Sequence, residues 1–138
     1  MSDPIAPVAA APRANVELVR GVYDAFARRD IASVFELFAD DVAIDQSPEV
    51  PWGGAYRGRD EALRFFATLT QHITSRVVLE RCIDAGDHVV AIGRTQGTLN
   101  ATGRAFDVPV AHVWELRDGH IVRVHFCIDN PTMLAAFA

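Results

Sequence analysis

The sequence predicts an α+β fold: a cone-shaped barrel of highly curved, mostly antiparallel sheet, packed on three N-terminal helices and holding an internal pocket. Three observations carry this expectation. Helical apolar periodicity dominates the chain up to Ile73, strand-like runs dominate from Thr74, and tight turns join those runs. Helices segregated from an antiparallel meander make a layered α+β domain. A long, strongly twisted sheet curls around its helices and leaves a cavity at its open end, a natural ligand site.

The first helix is expected over residues 15–28, where Val16, Val19, Val22, Tyr23 and Phe26 recur at helical spacing. Asp30 then caps a short second helix holding Val34, Leu37 and Phe38. The pair Asp40-Asp41 ends it, and residues 42–46 read as a short strand. Residues 47–54 contain two prolines and two glycines and read as a loop. Gly58-Arg59-Asp60-Glu61 opens the third helix with acidic residues in its first turn, where the helix dipole favours them. Leu63, Phe66, Leu69 and Ile73 are its expected buried face.

Val77-Val78-Leu79 and Val89-Val90-Ala91-Ile92 flank the turn Ala85-Gly86-Asp87. A further strand runs from about Arg104 to Leu116 and meets Asp118-Gly119, the clearest hairpin signal in the chain. The last strand, residues 120–128, precedes a tail helix around residues 133–137. No repeat or linker interrupts this order. Residues 13–138 are therefore read as one domain, and the Ala- and Pro-rich residues 1–12 as a flexible tail without the features of a secretion signal.

A chain of 138 residues, half of them hydrophobic and 22% charged, is long enough to bury a core. The net charge is −5 and the 13 basic residues are scattered, which argues against nucleic acid as a partner. No apolar run reaches the roughly 20 residues that span a bilayer. Cys82 and Cys127 have neither disulfide nor zinc spacing, so a cytoplasmic location with reduced thiols is expected. No metal or cofactor motif appears among the five histidines or the glycine-rich stretches.

Four stretches, taken in order, carry a family resemblance. They are Phe38-Ala39-Asp40-Asp41-Val42, Tyr56-Arg57-Gly58-Arg59-Asp60-Glu61, the run from His112 through Trp114 and Asp118-Gly119 to Val122, and Asp129 ahead of a short helix. Together they resemble the nuclear-transport-factor-2-like superfamily, and within it the SnoaL-like group, over about residues 15–137. The resemblance implies the cone fold and a homodimer paired through the outer sheet face, near Val113, Arg123 and His125. It does not imply one reaction, because the superfamily hosts isomerases, cyclases, hydrolases, dehydratases and binding proteins without chemistry.

Strand alternation places Phe106, Val108, Val110, His112, Trp114 and Leu116 on one inward face. Val122, Val124, Phe126 and Ile128 are expected inward on the last strand, and Ile44 and Gln46 inward if the first strand follows the family. The resemblance puts Gln46 where ketosteroid isomerases carry their carboxylate base, and Val22, beside Tyr23, where they carry a tyrosine. His112 falls at their oxyanion-acid position. Phe126 replaces the aspartate of the cyclases and the limonene-epoxide hydrolases. Arg94 is followed by Gln96, so the hydrolases' arginine–aspartate pair is missing as well.

His112 is the first catalytic candidate, since a histidine in an apolar row needs a polar partner and can act near neutral pH. A core histidine bonded to a neighbour is the plain alternative. Asp129 is the second candidate, against a simple helix cap, and Asp45 with Gln46 the third. Trp52 and Tyr56 are expected as a lid on the loop, or else as pins that hold it down. Trp114, Phe126 and Tyr23 complete the expected pocket wall. The function expected is cofactor-free proton transfer beside a carbonyl (isomerisation, cyclisation or dehydration) on an apolar oxygenated molecule. The alternatives are a non-catalytic ligand-binding protein of the same fold and a structural dimer whose pocket is filled by side chains.

Overall fold

The computed structural model describes residues 5–138, with side chains from Ala14 onward. Its first helix, α1 (Ile5–Ala27), is already helical at Ile5, ten residues before the periodicity places its start; residues 1–4 of the expected tail lie outside the described residues. Val19, Val22 and Tyr23 are buried at i, i+3 and i+4, while Glu17, Arg20 and Asp24 face out. The helix stops in a left-handed turn at Arg29 (φ 61°). There Asp30 N–H donates to the Ala25 carbonyl at 2.8 Å and Arg29 N–H to Phe26 at 3.0 Å. Asp30 then caps α2 (Ile31–Leu37), accepting from the Ser33 N–H at 3.2 Å.

The sheet has six strands in the order β2-β1-β6-β5-β4-β3: β1 (Phe38–Gln46), β2 (Gly54–Arg57), β3 (Ile73–Ala85), β4 (His88–Leu99), β5 (Ala105–Arg117) and β6 (His120–Ile128). Only the β1–β6 pair is parallel. The sheet is curved and unclosed. α3 (Gly58–His72) packs on β1, α1 on β3 and β4, and α4 (Asn130–Phe137) on β5. The α+β cone expected from the sequence is therefore present, with a fourth helix at its end.

Close backbone approach shapes the sheet. A Cβ added at Gly93 would collide with the Val78 carbonyl, and one at Gly97 with the Thr74 carbonyl, so β3 lies against β4 only because these positions are glycine. Register shifts between Leu79 and Arg81, and between Glu115 and Leu116, add further bends.

Four local expectations change. β1 begins at Phe38, so Asp40 and Asp41 sit in an irregular stretch of strand instead of ending a helix. β2 has no alternating pattern of its own and forms by pairing with β1, Ile44 opposite Tyr56. The buried stripe of α3 is Ala62, Phe65 and Phe66, and Leu63 is 55% exposed. With apolar residues at 62, 63, 65 and 66, two stripes compete, and the sheet selects the one that buries both phenylalanines. On β6 the irregularity beside Glu115 sets Ile121 opposite Leu116, so Ile121 is buried where alternation alone places Val122.

Candidate functional site

The six expected residues of β5 from Phe106 to Leu116 are all buried on the concave face. Beneath them, between the sheet and α1 and α3, lies a cavity of about 210 Å³. Its walls are mainly apolar, from Phe26, Phe65, Phe66, Val110, Phe126 and Met133 among others. Arg29 and Thr70 are the exposed residues of its lining, which puts the mouth between the end of α1 and the last turn of α3. No helix of the described residues is long and apolar enough to cross a membrane, and no cluster among them has the make-up of a metal site.

Among the described residues, and apart from the polar tips of Tyr23, Trp52 and Trp114, three polar side chains are buried: Gln46, Thr95 and His112. All three line this cavity. Neither the Gln46 amide nor the Thr95 hydroxyl bonds to another described residue, and neither is sealed from the cavity; the one sealed, unpartnered side-chain atom is Asn130 Oδ1. Their hydrogen-bonding capacity is therefore directed at whatever fills the space.

His112 is held from behind. Its Nδ1 lies 2.6 Å from the Tyr23 hydroxyl, which also accepts from Trp114 Nε1–H at 3.0 Å. The bonding fixes the protons. The indole can only donate, so it takes a lone pair of the Tyr23 oxygen, and the Tyr23 proton has one acceptor within reach, His112 Nδ1. The imidazole is then the Nε2–H tautomer, and Nε2–H is the group left for a ligand. Burial pulls the His112 pKa down to about 3, so the ring is neutral at physiological pH. Burial also pushes the Tyr23 hydroxyl well above its ordinary value, which keeps its proton in place. The Tyr23 and His112 rings lie nearly parallel (7°), and Phe126 meets His112 edge to face at 4.8 Å between centroids. Such a histidine is a weak base and a firmly oriented donor. It suits a carbonyl or enolate oxygen, as neutral imidazoles do in other enzymes.

The other candidates divide. Gln46, Phe126 and Tyr23 stand on the cavity wall as expected. Asp45 does not. It lies on the outer face of β1, where Arg57 (3.0 Å) and Arg123 (2.8 Å) hold its carboxylate, because adjacent strand residues point to opposite faces. Asp129 is the cap of α4, accepting from Thr132 N–H at 3.2 Å, and does not reach the cavity. Among the described residues, no carboxylate lines the cavity.

Trp52 is no hinged lid. It is 1% exposed, sits between His72 and Phe137, and forms part of the wall, burial that contributes about 2–3 kcal/mol to holding the loop down. Tyr56 donates its hydroxyl to the Trp52 carbonyl at 3.0 Å and lies outside the cavity. Trp114 belongs to the core and acts on the site through Tyr23, to which its indole donates, and through Phe126, whose ring it meets edge to face.

Several lining residues escaped the sequence reading, and two of them, Thr95 and Arg29, bear on the site. Thr95 lies on the inward row of β4 with Val89 and Ala91, so the same alternation that singles out His112 marks it as well. Arg29 carried no such signal, because only the turn after α1 brings it to the mouth.

A family model described as a SnoaL-like domain matches residues 19–124. Among solved structures, an NTF2-like protein from Burkholderia thailandensis is 31% identical, covering 89% of this chain and 96% of its own, with a TM-score of 0.83. IdmH, a proposed polyketide cyclase from Streptomyces antibioticus, is 27% identical over 88% of this chain and 96% of its own, with a TM-score of 0.72. TerC, which was co-crystallised with polyporic acid, shares the fold at 23% identity, over 89% and 97%, with a TM-score of 0.81. Curated protein sequences contain no match.

Proposed function

We propose that this chain, which belongs to the SnoaL-like domain family, binds an apolar oxygenated small molecule and activates its carbonyl oxygen through His112. One observation carries the reading: the buried polar side chains Gln46, Thr95 and His112 all line one apolar cavity. At about 210 Å³ the space exceeds the roughly 150 Å³ apolar cavity that accepts benzene, and it suits one or two fused rings. His112 Nε2–H donates to the ligand's carbonyl oxygen, and Gln46 and Thr95 offer further hydrogen bonds that orient it. In this role the protein supplies the oxyanion donor for enolisation, isomerisation or cyclisation, while solvent or the substrate's own functional groups take the carbon-bound proton. The cyclase assignment proposed for IdmH is of the same reaction class.

The lining without carboxylates favours a second reading, a binding protein without turnover. One experiment separates the two. Thermal shifts with 2-acetylnaphthalene and 2-ethylnaphthalene test the carbonyl preference, and deuterium exchange into the acetyl methyl group, followed by NMR, tests enolisation. The carbonyl activation expected here gives selective stabilisation by the ketone and exchange above the buffer rate, both lost in His112→Leu. Binding without exchange selects the non-catalytic protein. Equal stabilisation by ketone and hydrocarbon overturns the donor role of His112.

A further inference from the structure

Arg29 stands out on two independent grounds. Among the described residues it is the single charged one on the cavity lining, and it is exposed, at the mouth. It also occupies the left-handed position that ends α1, with φ at 61°, where glycine is the residue without steric penalty. A side chain kept in a strained backbone position beside a ligand cavity points to a use for that side chain. No ion pair to Arg29 forms among the described residues. Its neighbour Arg28 is the one that approaches Asp30, at 3.9 Å, and the Asp30 oxygens are already bonded to the Ser33 N–H and hydroxyl.

We infer that Arg29 selects a ligand carrying an acidic group, a carboxylate or an acidic enol ionised at neutral pH, and holds that group at the mouth. The inference rests on the cavity reading above and sharpens it to an anionic amphiphile. Arg29 follows Tyr23 by four helical steps, about 6 Å of rise, and then the turn beyond Ala27, so the buried donor and the mouth cation address opposite ends of a two-ring molecule. The aromatic walls enclose the rings between them. A guanidinium is the suitable cation there, since it stays charged and meets a carboxylate with two parallel donors.

The test compares 6-acetyl-2-naphthoate with its primary amide, 6-acetyl-2-naphthamide, by calorimetric titration. The two share rings and ketone and differ in charge at one end. The wild-type protein is expected to prefer the acid by about tenfold or more, the range of a charge-assisted hydrogen bond. Arg29→Gln and Arg29→Gly should both remove that preference and leave amide binding unchanged. Arg29→Gly should do so with a raised melting temperature, because glycine relieves the left-handed turn. A cation serving only the helix end would alter stability and not the discrimination between acid and amide. Equal affinity of the wild type for the two compounds overturns this inference and leaves the cavity reading standing. Failure of both to bind at millimolar concentration overturns both.

Discussion

Tyr23→Phe removes one oxygen atom and no packing volume, which makes it a sharp probe of how the site is held. Among the described residues the lost hydroxyl is the sole partner of Trp114 Nε1–H and of His112 Nδ1, and both residues are buried. Leaving a buried donor or acceptor without a partner costs about 1–3 kcal/mol, so the pair costs about 2–6 kcal/mol. In a domain of this length, a loss of 3 kcal/mol lowers the melting temperature by roughly 10 °C. Tyr56→Phe is the control. It deletes one shared donor, 3.0 Å from the Trp52 carbonyl and 3.4 Å from that of Gly53, on a half-buried residue, and should cost about 1 kcal/mol. Urea denaturation of both variants at pH 7.5 measures the difference. Imidazole nitrogen shifts add an independent readout, since wild-type His112 should be purely the Nε2–H tautomer and the Tyr23→Phe protein a mixture. The reasoning is refuted if Tyr23→Phe loses no more stability than Tyr56→Phe and the tautomer is unchanged.

Acid should weaken the fold in a way traceable to His112. Its folded pKa of about 3 lies below its unfolded value near 6.5, so the unfolded chain binds the extra proton. The stability linked to it is fully present above pH 6.5 and falls by a little over 1 kcal/mol per pH unit down toward the folded value; His112→Gln should flatten the urea-midpoint profile between pH 7 and 5, and a parallel profile refutes the assignment. Gly93→Ala should cost about 2–3 kcal/mol or prevent folding, as the added methyl meets the Val78 carbonyl, whereas Gly21→Ala meets open space and should be neutral or stabilising. A homodimer through the outer sheet face, near Val113, Arg123 and His125, should sediment at twice the monomer mass at micromolar concentration; a monomer there rejects it.

Much of the fold was legible because the core is written in two simple periods. The inward row of β5 follows from alternation alone, and the stripe of α1 from helical spacing. The Asp30 cap and the Asp118-Gly119 turn are local chemistry that neighbours do not alter. Legibility failed where two local answers were equally good, as on α3, or where pairing inserted a shift, as at Ile121. It failed also at β2, whose strand state comes from its partner.

The candidate site was legible in part for the same reason. His112 and Phe126 reach the cavity because an inward strand position is a property of sequence parity, while the inward place of Gln46 was expected from the family resemblance. What Asp45 and Asp129 do depends on which charges and amide groups come near them, two arginines for one and a helix start for the other. By itself the sequence determined the layers, the inward row of β5, the buried stripe of α1 and the presence of a polar residue among apolar neighbours, since these follow from periodicity and short-range sterics. Only the tertiary structure decided the tautomer of His112, the anchoring of Trp52 and the place of Arg29 at the mouth. Each of these depends on groups far apart in the chain meeting within hydrogen-bond or packing distance, 89 residues apart in the case of Tyr23 and His112.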